Sequence, residues 1–461
     1  PGGREHADER RYLRLFETMT ASKDFYFSHG YCLQDSLQAN AVGRGGADAF
    51  EHRFVWNGFL VKPLRESAVC LARWTTPVIH GFFHQVHLSV FGRGMSLTLI
   101  ARRSRHFAGT RYRKRGVNAF GQVANDVETE QIVDVVRLHA TCVSSVVQMR
   151  GSIPLPWTQE TNPLNPKPDI VLQRYDPEYE MTEAHFDDLR ERYGCPAVAL
   201  NLVKSMERRP REMLLRAEYA QAVDFLNSRR RPEDEILFIH WDFNQHTSRR
   251  GPHALNAILP LVRACLEKVD VFSASTVRGG GRKDEVRLQS GVLRTNCIDC
   301  LDRTNVAQFA FGLAALGRQL HRLGLIHQPQ LDPGCGVALQ LMAQYEAMGD
   351  VLSMQYGGSE AHSKFFQRQK GRPEYATRSR DLVTSFMRYY SNTYGDASKQ
   401  DAINLFLGHF RPELAGPSIW DLENDYYLPN LYGPEPGSPL ALPGGGRGEA
   451  GAGGAQPASG G

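Results

Sequence analysis

The sequence of 461 residues contains no apolar run of 18 or more residues, which excludes a membrane-spanning helix of ordinary length within it. It has only eight cysteines, and their spacing forms no disulfide framework, which is typical of a reducing compartment. Neither sign of charge dominates, because the formal net charge is only +4. Overall charge therefore indicates neither nucleic acid nor a membrane, and an anion-binding site must come from a local cluster.

The composition that is present is that of a globular protein, with 41% hydrophobic and 10% aromatic residues. Segments typical of buried strands alternate with segments of helical periodicity, and residues 86–91 and 96–100 flank a Gly-Arg-Gly turn as a predicted hairpin. This alternation predicts an α/β catalytic domain with a mixed sheet. Residues 431–461 are rich in glycine and proline, so we expect a disordered tail there.

The most informative run is residues 294–305, RTNCIDCLDRTN, in which five residues separate Cys297 from Arg303. This spacing lets the chain close a ring around one phosphate, with backbone N–H groups pointing at the phosphate oxygens. Arg303 adds a planar donor that matches two of those oxygens. The same positive field favours the Cys297 thiolate, which is the nucleophilic form of cysteine. Thr304 can donate a hydrogen bond to the sulfur and improve it as a leaving group.

The flanks of this run favour a phosphate loop between a strand and a helix. Residues 285–288 and 291–293 are typical of strands, and the apolar residues 306–316 are typical of a buried helix. Cys297 and Cys300 are also spaced like a redox or zinc-binding pair. A zinc site needs further ligands at suitable spacing, whereas the other cysteines are scattered singly. If Cys297 and Cys300 form a redox or zinc-binding pair, Cys300 takes part in that chemistry. Otherwise Cys300 is a packing residue of the loop.

The run resembles the signature of the Sac-domain phosphoinositide phosphatases. Other stretches of residues 20–430 that match this family in order are 102–112, 124–130, 150–154, 204–216 and 388–392. Residues 240–242 and 400–408 resemble the subgroup that acts on phosphatidylinositol 3,5-bisphosphate, including its plant members. The resemblance implies a remnant of a β-rich N-terminal subdomain in residues 1–50 and a catalytic domain in residues 51–430. It also implies that most of the N-terminal subdomain is missing.

Hydrolysis through Cys297 needs an acid that protonates the leaving alcohol. The loop carries Asp299 and Asp302, and two ionised carboxylates facing a phosphate would repel it, so at least one is protonated or points away. The resemblance favours Asp299 as the acid. Asp302 is then a brace of the loop or of Arg294, and Asp242 is an alternative acid whose simpler interpretation is a helix cap.

Substrate binding is expected from the loop residues Ile298, Cys300, Leu301 and Asp302. Two basic clusters are further candidates for contacts to a headgroup or an anionic membrane surface. The first cluster comprises Arg102, Arg103, Arg105, Arg111, Arg113, Lys114 and Arg115. We expect this cluster to face the membrane, with Arg111, Arg113 and Lys114 contacting the substrate. The second comprises Lys204, Arg208, Arg209 and Arg211, with Lys204 as the preferred headgroup contact.

The resemblance implies a phosphatase that removes the 5-phosphate of phosphatidylinositol 3,5-bisphosphate through a cysteinyl-phosphate. No metal or other cofactor is needed, because Arg303 and the backbone supply positive charge. The expected location is the cytoplasmic surface of vacuolar or endosomal membranes, with a scaffold protein and a phosphoinositide kinase as candidate partners. Two alternatives stay open: a protein-tyrosine or dual-specificity phosphatase, and a largely non-catalytic scaffold of a lipid kinase complex.

Overall fold

The structure, a computed structural model, describes a large part of the chain. The described residues are 2–20, 24–43, 50, 52–66, 74–111, 113–137, 140–159, 169–172, 176–208, 210–247, 253–277, 285–359, 361, 395–413, 416–422 and 428. The predicted glycine- and proline-rich tail lies outside the described residues, as does Arg209 of the second basic cluster.

A mixed sheet of ten strands is the central element of the fold. Its strands are β1 (Phe25–Tyr26), β2 (Ile79–Val90), β3 (Arg93–Arg103), β4 (Val127–Arg137), β5 (Ala140–Arg150), β8 (Ala197–Asn201), β9 (Leu237–His240), β10 (Phe272–Val277), β11 (Glu285–Arg287) and β12 (Val292–Asn296). A separate hairpin is formed by β6 (Trp157–Gln159) and β7 (Ile170–Leu172). The strand order is β1-β2-β3-β4-β5-β12-β8-β9, and β10 joins β5 to β11.

Strands β1 to β5 pair antiparallel with their neighbours, whereas β5, β12, β8 and β9 run parallel. The carboxyl ends of these parallel strands therefore meet at one edge of the sheet, where ligand sites of α/β folds form. Strand β12 lies between β5 and β8 and is buried along its whole length. The architecture confirms the predicted mixed-sheet α/β class and the predicted hairpin of β2 and β3.

Helices cover both faces of the sheet. They are α1 (Gly2–Thr20), α2 (Leu37–Val42), α3 (Gly58–Arg65), α4 (Glu180–Tyr193), α5 (Glu212–Arg229), α6 (Phe243–Thr247), α7 (His253–Val269), α8 (Asp302–Arg322), α9 (Gly336–Gly357) and α10 (Asp396–Phe406). Alternate residues of β8 point into different cores: Val198 packs with α7 to α9, and Ala199 packs with α4 and α5. None of the described helices is long and apolar enough to cross a bilayer.

The N-terminal residues join the body of the fold. Leu15 and Met19 of α1 pack with Ile403 and Phe406 of α10. Within the described part of residues 2–50, β1 is the strand, and it pairs with β2 of the large sheet. The assignment of residues 1–50 as a remnant of a β-rich subdomain stays a prediction.

Candidate active site

The cysteine loop lies at the carboxyl edge of the parallel strands. Strand β12 ends at Asn296, whose side-chain amide donates to Asn201 Oδ1 at the end of β8, over 2.7 Å. Helix α8 begins at Asp302, and 16 of its residues are buried. The loop 297–301 is therefore held between two buried elements, and the predicted arrangement of strand, loop and helix is confirmed.

Cys297 is almost fully buried, with 2% of its surface exposed. Its sulfur accepts from the Cys300 N–H over 3.0 Å and from Thr304 Oγ1 over 3.4 Å. Burial alone raises the pKa of Cys297, but contact with Cys300, the charge of Arg303 and the Thr304 hydroxyl lower that pKa to about 6. A large share of Cys297 is then thiolate at neutral pH, which suits a nucleophile.

Cys300 supports the loop from inside. It takes the left-handed backbone conformation, with φ of 52°, and this conformation turns its N–H toward the Cys297 sulfur. Its own thiol donates to the carbonyl of Gly151 over 2.8 Å, and burial keeps the pKa of this thiol well above its usual value. Ile298 and Leu301 are also buried. The side chains of these three residues therefore anchor the loop, and any phosphate contact must come from their backbone.

Arg303 is held by a carboxylate that the sequence analysis did not identify. Its Nη1 lies 2.7 Å from Oε2 of Glu212, and its Nη2 lies 3.3 Å from Oε1. Nη1 also donates to the carbonyl of Leu202 over 3.2 Å. Glu212 is the first residue of α5 and is buried. In the sequence it is one charge among several, and no local pattern shows that it reaches a residue 91 positions away.

Asp299 lies between two arginines. Arg111 donates to both of its oxygens, over 3.0 and 2.7 Å, and Arg115 donates to Oδ1 over 2.7 Å. Burial raises the pKa of Asp299, but Arg111 and Arg115 outweigh burial and hold that pKa well below its usual range. A general acid must hold a proton, so this arrangement argues against the role that the resemblance implied. That role stays a prediction, which an Asp299→Asn variant tests.

The expected membrane-facing surface in residues 102–115 is wrong for four of its seven cations, because Arg102, Arg103, Lys114 and Arg115 are buried. Arg102 pairs with Glu128 and Glu130 over 2.7 and 2.6 Å. A side chain that is buried against carboxylates or carbonyls cannot reach a lipid surface. The expected substrate contact of Lys114 therefore fails, since only 1% of its surface is exposed.

The remaining members of this cluster differ in their surroundings. Arg111 is bound to Asp299, while Arg113 is exposed and stays a candidate for a headgroup or membrane contact. Arg115 also donates to the carbonyl of Ile298 over 2.8 Å. Arg111 and Arg115 thus both contact the nucleophile loop and orient it.

The second cluster lies next to Arg303. The Lys204 N–H donates to Glu212 Oε2 over 3.0 Å, and its ammonium lies 3.7 Å from Glu212 Oε1. Lys204 is 39% exposed, so its position remains compatible with the predicted headgroup contact. Asp242 accepts from the N–H groups of Ser205 and Gln245 at the start of α6, which matches its simpler interpretation as a cap.

Arg294 is braced by groups other than the loop carboxylates. It donates to His185 Nε2 over 3.1 Å, to Asn296 Oδ1 over 3.0 Å and to the carbonyl of Ser152. His185 Nδ1 lies 3.0 Å from the carbonyl of Gly121, and burial lowers the pKa of this histidine well below its usual value. The pair is thus a neutral imidazole and a guanidinium. Whether Asp302 braces the loop stays a prediction.

Several stretches quoted in the sequence analysis converge on this loop. The side-chain amide of Asn125 donates to the carbonyl of Asp299 over 3.4 Å, and the guanidinium of Arg150 donates to Asn305 Oδ1 over 3.0 Å. Gly151 accepts from Cys300, as described above. The order of the matching stretches indicated one common site for residues far apart in the sequence. Only the fold shows that Asn125, Arg115 and Glu212 contact the loop or its arginine.

Comparisons with known proteins identify the family of this chain. Residues 2–248 match the SacI homology domain. The chain is 46% identical over 482 residues to phosphatidylinositol-3-phosphatase SAC1 of Arabidopsis thaliana, covering 91% of this chain and 53% of that protein. It is 39% identical over 412 residues to the polyphosphoinositide phosphatase of Schizosaccharomyces pombe, covering 87% and 49%. The chain thus spans about half the length of these relatives. It belongs to the SacI homology domain family.

Proposed function

We propose that this chain is a phosphoinositide phosphatase that hydrolyses a phosphate monoester of the inositol ring through a cysteinyl-phosphate. One observation carries the proposal: the buried Cys297, with its pKa lowered to about 6, follows a buried strand and precedes a helix that carries Arg303. The family relationship supports the same reaction, since relatives that match most of this chain are named phosphoinositide phosphatases.

In the proposed reaction the Cys297 thiolate attacks phosphorus, so that an S–P bond forms and the bond from phosphorus to the inositol oxygen breaks. The leaving oxygen takes a proton and departs as the ring hydroxyl. A water molecule then attacks phosphorus, the S–P bond breaks, and inorganic phosphate leaves while the thiolate is restored. Arg303 and the loop N–H groups stabilise the charge on the phosphate oxygens in both steps. The Thr304 hydroxyl stabilises the departing sulfur.

We further propose the 5-phosphate of phosphatidylinositol 3,5-bisphosphate as the preferred target, based on the subgroup resemblance of residues 240–242 and 400–408. The Arabidopsis relative is named a 3-phosphatase, so the 3-phosphate is the alternative target. The corresponding location is the cytoplasmic surface of vacuolar or endosomal membranes. A scaffold protein and a phosphoinositide kinase are the partners that we propose there.

The test is phosphate release by the chain from each phosphoinositide isomer, with a phosphotyrosine peptide assayed beside them. We expect release from a phosphoinositide, preferentially from the 3,5-bisphosphate, and little from the peptide. The Cys297→Ser variant is the matched control, because its hydroxyl is a far weaker nucleophile at neutral pH. Preferential hydrolysis of the peptide would favour a protein phosphatase. Release that survives Cys297→Ser would exclude the cysteinyl-phosphate.

A further inference from the structure

Two large apolar side chains are exposed next to the nucleophile loop. Met206 is 83% exposed, and Leu214, in the first turn of α5, is 50% exposed. Both belong to the described residues 204–208 and 210–214, here called the 204–214 segment, which lie between β8 and α5 and include the first turn of α5. Exposed apolar side chains that border a candidate active site are candidates for a contact with a membrane or another protein.

The 204–214 segment borders the active site directly. It follows β8, whose last residue Asn201 pairs in register with Asn296 at the end of β12. The Leu202 carbonyl accepts from Arg303, and the Lys204 N–H donates to the same Glu212 that holds Arg303. Whatever binds the 204–214 segment is therefore adjacent to the phosphate-binding arginine.

Hydrogen bonds hold the residues on both sides of Met206, so the exposure of Met206 does not come from a loose loop. On one side Asp242 Oδ2 accepts from the Ser205 N–H over 2.6 Å. On the other side Glu207 Oε2 accepts from the N–H groups of Arg211 and Glu212, over 3.0 and 2.7 Å. These bonds fix both neighbours of Met206 while its side chain stays in solvent.

The charged side chains beside Met206 that are exposed to solvent are cationic. Lys204 is 39% exposed and Arg208 is exposed, whereas Glu207 is turned inward to cap α5. An apolar tip with flanking cations complements the boundary between anionic lipid headgroups and acyl chains, where each basic residue adds attraction to the surface.

We propose that the 204–214 segment is the membrane-contact edge of this protein. Met206 and Leu214 enter the headgroup–acyl boundary of an anionic bilayer, while Lys204 and Arg208 contact lipid phosphates. The proposal rests on the proposed function in one respect, since a lipid substrate requires the nucleophile loop to face the bilayer. It takes the place of the four buried cations of residues 102–115 that were expected to face the membrane.

Phe91 offers a matched control at the opposite end of the sheet. It is 87% exposed at the tip of the β2–β3 hairpin. The other end of β3, at Arg103, pairs with Val127, which pairs with Arg150 beside the end of β12. Phe91 is therefore equally exposed and apolar, but it lies on the edge away from Cys297.

The direct test places a tryptophan at each site and adds vesicles of phosphatidylcholine and phosphatidylserine with brominated acyl chains. We expect Met206→Trp to show a blue shift and bromine quenching beyond those of the parent protein, and Phe91→Trp to show neither. A Met206→Glu variant should bind these vesicles about tenfold more weakly, the effect of losing the burial of one large apolar side chain. Phe91→Glu should bind as the parent does.

Assays of hydrolysis on two substrates distinguish a failure of the membrane-contact proposal from a failure of the proposed phosphatase function. Met206→Glu should lose activity on phosphoinositide in vesicles by a similar factor and keep activity on a soluble short-chain phosphoinositide. Unquenched Met206→Trp, unchanged vesicle binding of Met206→Glu, or equal loss on both substrates would overturn the membrane-contact edge. If the parent protein hydrolyses neither substrate while Met206→Trp is quenched, the proposed function fails and the membrane contact stands.

Discussion

Arg303 and Glu212 form a two-point ion pair, with Nη1 2.7 Å from Oε2 and Nη2 3.3 Å from Oε1. Both side chains are largely buried, so the pair is only weakly screened by solvent. Two contacts fix the plane of the guanidinium as well as its position. Glu212 and the Leu202 carbonyl take both hydrogens of Nη1, but Nη2 keeps one hydrogen beyond its contact with Glu212, so the group can keep Glu212 and still donate to a phosphate. Glu212 is therefore a positioning residue for Arg303.

Replacing Glu212 by glutamine should lower kcat/KM by about tenfold to a hundredfold, the range expected when one hydrogen bond to a charged group is lost. Inhibition by inorganic phosphate should weaken in parallel, because a misaligned guanidinium binds phosphate less well. Removing the anion also leaves the charge of Arg303 less compensated, so the pH midpoint of Cys297 alkylation should fall. A residue with a purely structural role would not shift that midpoint.

Asp224→Asn is the control for this variant, since Asp224 is an exposed acid on the same helix. It removes the same charge from α5 without touching the site. Unchanged phosphate inhibition in Glu212→Gln, or an equal loss of activity in Asp224→Asn, would rule out the positioning role.

The loss of activity at acid pH should follow the protonation of the Cys297 thiolate. Since its pKa is lowered to about 6, the thiolate is lost as pH falls through 6, and both turnover and alkylation by iodoacetamide should fall with it. Mass spectrometry of the labelled peptides checks this against Cys265 in the same chain, whose pKa burial raises to about 11. We expect Cys297 to be labelled at neutral pH and Cys265 to remain unlabelled.

The Thr304→Val variant tests what lowers the pKa of Cys297. The valine keeps the shape of threonine but cannot donate to the sulfur, so the midpoint for Cys297 should move to higher pH. A midpoint near the ordinary value of about 8.5 in the parent protein would contradict the activated thiolate altogether.

Asp299→Asn separates two roles for this carboxylate. In the structure it is an anion between Arg111 and Arg115, and removing its charge should cost on the order of 2 kcal/mol of unfolding free energy and misplace the loop. Activity should then fall equally on a lipid and on an aryl phosphate with a good leaving group. A much larger loss on the lipid would restore Asp299 as the general acid, because an acid matters most for a poor leaving group.

The sequence predicted the part of the site whose signals are local. A strand, the run 294–305 and an apolar helix are adjacent in the chain, so spacing and periodicity were sufficient to predict them. The environment of Arg102 could not be predicted in this way. A run of cations usually indicates a solvated surface, and the carboxylates that bury Arg102, Glu128 and Glu130, become its neighbours only when β3 pairs with β4. The role of Glu212 was missed for the same reason.

Asp396, at the start of α10, is buried, and neither of its carboxyl oxygens has a hydrogen-bond partner in the described part of the chain. Burial raises its pKa from 3.8 to about 6, although Lys399 and Arg111 oppose this. Between these two values the folded state binds more protons than the unfolded state. The free energy of unfolding should therefore fall as pH rises from about 4 to 6 and stay reduced above 6, by about 3 kcal/mol.

Asp396→Asn should remove this pH dependence, because the amide has the same shape and does not ionise. We expect its melting temperature to exceed that of the parent protein at pH 7.5 and to match it near pH 4, where Asp396 is already protonated. The exposed Asp224→Asn variant should show no such difference. A melting temperature below that of the parent at pH 7.5 would mean that a cation such as Lys399 stabilises the ionised carboxylate, so that charge pairing outweighs burial at this position.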